Sequence, residues 1–186
     1  ASIGVNNVRS SNAHGIMLDW WHDDHSGSNG YPEGTVRRAR QNLVAALREV
    51  GGNDYLILGN VNWRRDTATA SQINGGFLEL YKTRSSIRMN DLYTRQELLN
   101  MESLLQYYER TLAYPRLIAL EGWRQTTALT DADRNTPANR RMAKIMTAMS
   151  VVIPTHGYIL YGDNNADAPE GDHFHLYYDF YSFDVG

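Results

Sequence analysis

Cysteine is absent from these 186 residues, which excludes a disulfide framework, a thiolate nucleophile and any Cys-based metal site, and leaves the redox compartment open. A basic excess is missing too. With 18 Lys and Arg against 21 Asp and Glu the formal net charge is -3, so no cationic surface covers phosphates and nucleic acid is not an expected partner. No apolar run approaches the roughly 20 residues of a membrane span, and the amino terminus lacks the basic-then-apolar pattern of a signal peptide. No membrane partner is expected. Neither GxGxxG nor GxxxxGK[ST] follows the first apolar run, and GxSxG, HExxH, EF-hand and kinase signatures are lacking as well. The chain begins at Ala1 rather than Met, which suggests a processed or internal piece.

What is present reads as alternating strands and helices in a single domain, 1–186, with 42% hydrophobic residues to build its core. Ile16-Met17-Leu18 ends at Asp19 and suits a strand buried on both faces. Val36, Ala39, Leu43, Leu47 and Val50 recur at helical spacing, with Thr35 as expected N-cap and Gly51 as expected stop. Tyr55 to Leu58 reads as a second strand running out into Asn60, Asn62 and Trp63, and Gly75 to Tyr81 as a third that carries Glu79. Thr94-Arg95-Gln96-Glu97 has the capping-box form, ahead of an apolar face of Leu98, Met101, Leu105, Tyr108 and Leu112. Arg116 to Leu120 reads as a fourth strand ending at Glu121-Gly122-Trp123. The next helix starts at Thr136-Pro137, with Met142, Ile145, Met146 and Met149 at core spacing. Tyr158 to Tyr161 is the fifth strand.

Strands that alternate with helices, without hairpin turns, imply a parallel α/β sheet. Without a phosphate loop a doubly wound sheet is disfavoured. A (β/α)8 barrel of the TIM type, which places functional residues at the carboxyl ends of several strands, is the expected fold. A complete barrel takes about 250 residues and eight strands, so an incomplete barrel is expected here, its missing part supplied by further sequence or a partner chain.

Asp19, Glu79 and Glu121 each stand where a strand delivers them. Any one such acid can be a solvated side chain or a helix-cap partner; three in the same placement favour a shared task. Asp19 and Glu79 fall two strands apart, so they can face each other across a pocket as the carboxyl pair of a glycosidase does. Trp20, Trp21, Trp63, Trp123 and Tyr81 lie beside these polar groups, as a sugar ring with one apolar face requires, although about half of such tryptophans are expected to serve only as packing. The clusters His22-Asp23-Asp24-His25 and Asp172-His173-Phe174-His175 have ligand-like spacing. With no metal signature beside them, substrate hydrogen bonding by His175 or His22 is the expectation, with no metal and no cofactor.

Taken in order, GIMLDWWHDD, LILGNVNW, INGGFLELY, LIALEGW and the tail from HGYILYGDNN to SFDVG resemble a family of glycoside hydrolases in the wider group of α-galactosidase-like barrels. The resemblance covers Gly15 to Gly186 and rests on order and spacing, since each motif is short. It implies that the chain holds strands four to eight and is cut at both ends. It also implies Asp19 as nucleophile, Glu79 as acid/base, and Asn60, Asn62 and Glu121 as sugar-binding or supporting groups. Glu79 departs from the group's pattern, in which an Asp is common at that place. The expected activity is retaining hydrolysis of a poly- or oligosaccharide, in an extracellular or surface-associated protein. The alternative is a barrel that binds carbohydrate or builds a surface or virion assembly without catalysis.

Overall fold

Each of the five apolar runs becomes a strand. In the computed structural model, which describes residues 13–24, 30–82, 93–126, 135–154, 157–165 and 177–184, these are β1 (Gly15–Leu18), β2 (Leu56–Asn60), β3 (Gly75–Lys82), β4 (Leu117–Thr126) and β5 (Gly157–Asn165). They form one sheet, every neighbouring pair parallel, with the strands side by side in chain order. Helix α1 (Glu33–Gly51) connects β1 to β2, α2 (Arg95–Thr111) lies between β3 and β4, and α3 (Pro137–Val152) between β4 and β5. The β2–β3 connection, residues 61–74, contains only the 3-10 turn Ala70–Gln72.

Because strands are added in one direction, right-handed connections put the helices on one face of the sheet. That face carries Ile57, Leu78, Leu80, Ile118 and Leu120, all fully buried in the core with Leu47, Met101, Leu105, Tyr108 and Met146 of the helices. Side chains alternate along a strand, so the opposite face carries Met17, Leu58, Phe77, Glu79, Ala119 and Glu121. It is less covered: Met17 is 50% exposed and Leu117 37%.

Local signals placed two of the three helix starts. Thr94 accepts from the Glu97 N–H at 3.2 Å while Glu97 bonds back to the Thr94 N–H at 2.6 Å, completing the capping box. Thr136 caps α3 through the Asn139 N–H. The expectation for α1 needs correction. Pro32, whose ring sets φ at −58°, is the N-cap, and Thr35 is already inside, its N–H bonded to the Pro32 carbonyl at 2.9 Å. Gly51 is the last helical residue, and Gly52 at φ 77° makes the stop. The buried stripe of α1 is Arg40, Val44 and Leu47 rather than one through Ala39, which is exposed. On α3, Ile145 also faces outward.

The strands outrun their apolar runs, because backbone pairing continues where hydrophobicity stops. β3 and β4 remain paired through Lys82 and Arg124. Glu121 therefore lies inside β4 rather than at its end.

Candidate active site

Register assembles the site. Leu18 pairs with Gly59, so one step on, Asp19 lies beside Asn60, the last residue of β2. Asn60 pairs with Phe77, and Glu79 follows two residues later on the same face. Glu79 in turn pairs with Glu121. Four polar side chains from four adjacent strands thus share the face away from the helices.

Asn60 joins the two acids. Its Nδ2 donates to Asp19 Oδ1 at 2.9 Å and to Glu79 Oε2 at 2.7 Å. Two bonds from one amide nitrogen hold those carboxylate oxygens no more than about 5.6 Å apart. The amide is held from its other end, where Asn60 Oδ1 accepts the Asn62 N–H at 3.3 Å. Asn60 is almost completely buried, Glu79 half-buried and Asp19 exposed. Glu121, beside Glu79 in the ladder, is sealed at 1% exposure.

Two residues at this rim adopt the left-handed backbone, Asn62 at φ 49° and Trp20 at φ 51°. Asn tolerates that region; a bulky Trp pays about 1–2 kcal/mol for it. The kink at Trp20 turns its N–H onto Asp19 Oδ1 at 2.9 Å. Its indole is 49% exposed, with the His22 ring 5.8 Å away. An open aromatic face therefore stands next to Asp19.

Trp21 is a different case and corrects the expectation that it contacts sugar. It is 7% exposed, its N–H donates to the Asn60 carbonyl at 2.6 Å, and its indole Nε1 donates to Thr69 Oγ1 at 2.8 Å. The ring lies on Gly59, where a Cβ would come within 2.8 Å of Trp21 Cδ1, and the Arg40 guanidinium sits 5.4 Å from its centroid. A buried Trp with Gly59 and Arg40 against its ring and its indole N–H bonded is an anchor. Trp63 is half-buried, packed against the core with the Tyr93 ring 5.9 Å away. Asn62 is buried and serves Asn60 through its backbone. His22 is buried as well.

The acids of the His22–His25 cluster tie the β1 loop to the β2 loop. Asp23 Oδ2 accepts the Thr67 N–H at 3.0 Å and the Thr67 hydroxyl at 2.7 Å, and Asp24 pairs with Arg64 at 2.7 Å. Among the described residues no group of three His, Asp or Glu is arranged to hold a metal ion, and no helix is long and apolar enough to cross a membrane. Tyr81 and Trp123 pair across β3 and β4, while their side chains, and all of His175, lie outside the described residues.

Sequence reasoning missed the support under the site. Asp66, fully buried, accepts the Ala68 and Thr69 N–H groups at 3.0 Å each and the Thr69 hydroxyl. Its own N–H donates to the Tyr108 hydroxyl at 2.9 Å, and that hydroxyl donates to the Arg64 carbonyl at 2.9 Å. Burial pushes the Asp66 carboxyl above its ordinary value and the Arg40 guanidinium below its own, each partly offset by the other's charge. The Asp-Thr-Ala-Thr stretch carries the turn signal that could have marked Asp66.

The chain matches no protein-family model and no curated protein, so the functional reading rests on this geometry.

Proposed function

We propose that this protein is a retaining glycoside hydrolase in which Asp19 is the nucleophile and Glu79 the acid/base. The observation that carries the reading is the bridge from Asn60 to both carboxylates, which holds the two bonded oxygens no more than about 5.6 Å apart, close enough for the pair to act on one glycosidic bond. Asp19 Oδ1 is held by the Trp20 and Asn60 N–H groups. Oδ2 has no hydrogen-bond partner among the described residues and is available to attack the anomeric carbon.

In the first step Glu79 gives its proton to the glycosidic oxygen as that oxygen leaves, and Asp19 forms a covalent bond to the sugar. In the second, Glu79 takes a proton from water as the water attacks the same carbon, and Asp19 departs as carboxylate. The exposed Trp20 indole supplies the apolar wall beside the reacting ring.

A barrel is the fold this reading calls for. Five parallel strands in chain order, with no reversal, follow singly wound topology, and parallel sheets are covered on both faces. Barrel closure would bury Met17 and Leu117 and leave the acids at its mouth.

The test is hydrolysis of a panel of aryl glycosides and polysaccharides by the full chain, by Asp19→Asn and by Glu79→Gln. Parent activity with net retention, reduced at least about 10²-fold in each variant, supports the assignment. Glycan binding without cleavage by the parent, or undiminished cleavage by the variants, overturns it in favour of a carbohydrate-binding or structural role.

A further inference from the structure

The β1 loop holds Asp19 through a turn whose middle residue, Trp20, has an unfavourable backbone at φ 51°. Such a conformation persists only where its surroundings hold it. The next residue is the holdfast. Trp21 is pinned through its N–H to the Asn60 carbonyl, through its ring to Gly59, and through its indole Nε1 to Thr69. Thr69 can accept that bond in one orientation because its own hydroxyl proton is committed to Asp66 Oδ2. Asp66 is fixed by the Ala68 and Thr69 N–H groups and, through its backbone, by Tyr107 and Tyr108 of α2. A continuous chain of bonds therefore runs from a buried carboxylate to the turn that aims Asp19.

We propose that Thr69 and Asp66 are positioning residues for Asp19, acting through the Trp21 indole. Neither touches the two carboxylates bridged by Asn60, so their contribution is orientation of the nucleophile. The inference rests on the glycosidase reading for its kinetic consequence and on the geometry alone for its structural one. The Trp20 N–H, bonded to Asp19 Oδ1, is a direct reporter of that geometry.

The experiment compares the full chain with Thr69→Val, which keeps the shape and loses the hydroxyl, Thr69→Ser, which restores it, and Trp21→Phe, which loses the indole donor together with part of the ring and serves if Thr69→Val does not fold. Asp19→Asn calibrates the Trp20 amide signal in a nitrogen–proton correlation spectrum. The expected result is that Thr69→Val and Trp21→Phe shift the Trp20 amide while Thr69→Ser leaves it in place. On the aryl glycoside that the parent cleaves, the first two lower kcat roughly 10- to 100-fold with KM within about threefold, and Thr69→Ser recovers the rate. A shifted amide in a protein that cleaves no glycoside supports the positioning role and removes the glycosidase reading. An unmoved amide and parental kcat in Thr69→Val and Trp21→Phe overturn the proposal while leaving that reading intact.

Discussion

Gly59→Ala is the sharpest check on the architecture beneath the candidate site. The added Cβ would stand 2.8, 3.0 and 3.1 Å from Cδ1, Cβ and Cγ of Trp21, where ordinary carbon contacts are about 3.5–4.0 Å. The indole cannot simply swing aside, since its N–H is bonded to Thr69 and Arg40 lies over its ring. Overpacking of this kind costs about 1–3 kcal/mol. Replacing a strand glycine by alanine returns about 0.5–1 kcal/mol, so a net loss of about 1–2 kcal/mol is expected. For a chain of this size that lowers Tm by about 2–8 °C. The control is Gly76→Ala, one strand over and paired with Gly59 in the ladder. Its Cβ would meet the Tyr108 ring at 3.4 Å, an ordinary contact, so its Tm should hold or rise. Thermal melts of parent and both variants by circular dichroism at one pH decide the matter. Equal losses in the two, or no loss in Gly59→Ala, would refute the anchored position of Trp21.

Three further outcomes are expected. Asn60→Ala removes the amide that holds both carboxyl groups in register, so hydrolysis should fall roughly 10- to 100-fold through lost orientation; a parental rate would show that the bridge is incidental. Burial holds the Asp66 carboxyl above its ordinary 3.8, so from that value upward to its folded value the native chain binds more protons than the unfolded one, and stability falls as pH rises. Asp66→Asn should flatten the dependence of Tm on pH in that interval, and parallel curves for parent and variant would contradict the assignment. Tyr108→Phe leaves the buried Asp66 N–H without its acceptor and should cost about 1–3 kcal/mol in denaturant melts; a neutral effect would mean that water replaces the hydroxyl.

Pattern and local chemistry sufficed for much of the fold. The runs at Ile16, Leu56, Phe77, Leu117 and Ile159 all lie in strands, because a buried parallel strand needs a short continuous apolar stretch bounded by breakers. Thr94 and Thr136 were legible as caps because a cap bonds within three residues of itself. The offset of the α1 stripe onto Arg40 was not legible, since a buried arginine reads as polar until Trp21 and Asp23 are seen beside it.

The sequence by itself determined the α/β class, the parallel strands and the delivery of Asp19 and Asn60 to the carboxyl ends of β1 and β2, since each follows from spacing along a few residues, whereas Glu79, like its ladder partner Glu121, lies inside its strand. Tertiary structure alone decided that one Asn amide spans both carboxylates, that Glu121 is sealed within β4, and that of two adjacent tryptophans one is open and the other an anchor. The reason is distance along the chain. Asn60 lies 41 residues from Asp19 and 19 from Glu79, and Trp21 lies 48 from Thr69; only strand register and loop packing bring such partners within hydrogen-bond reach.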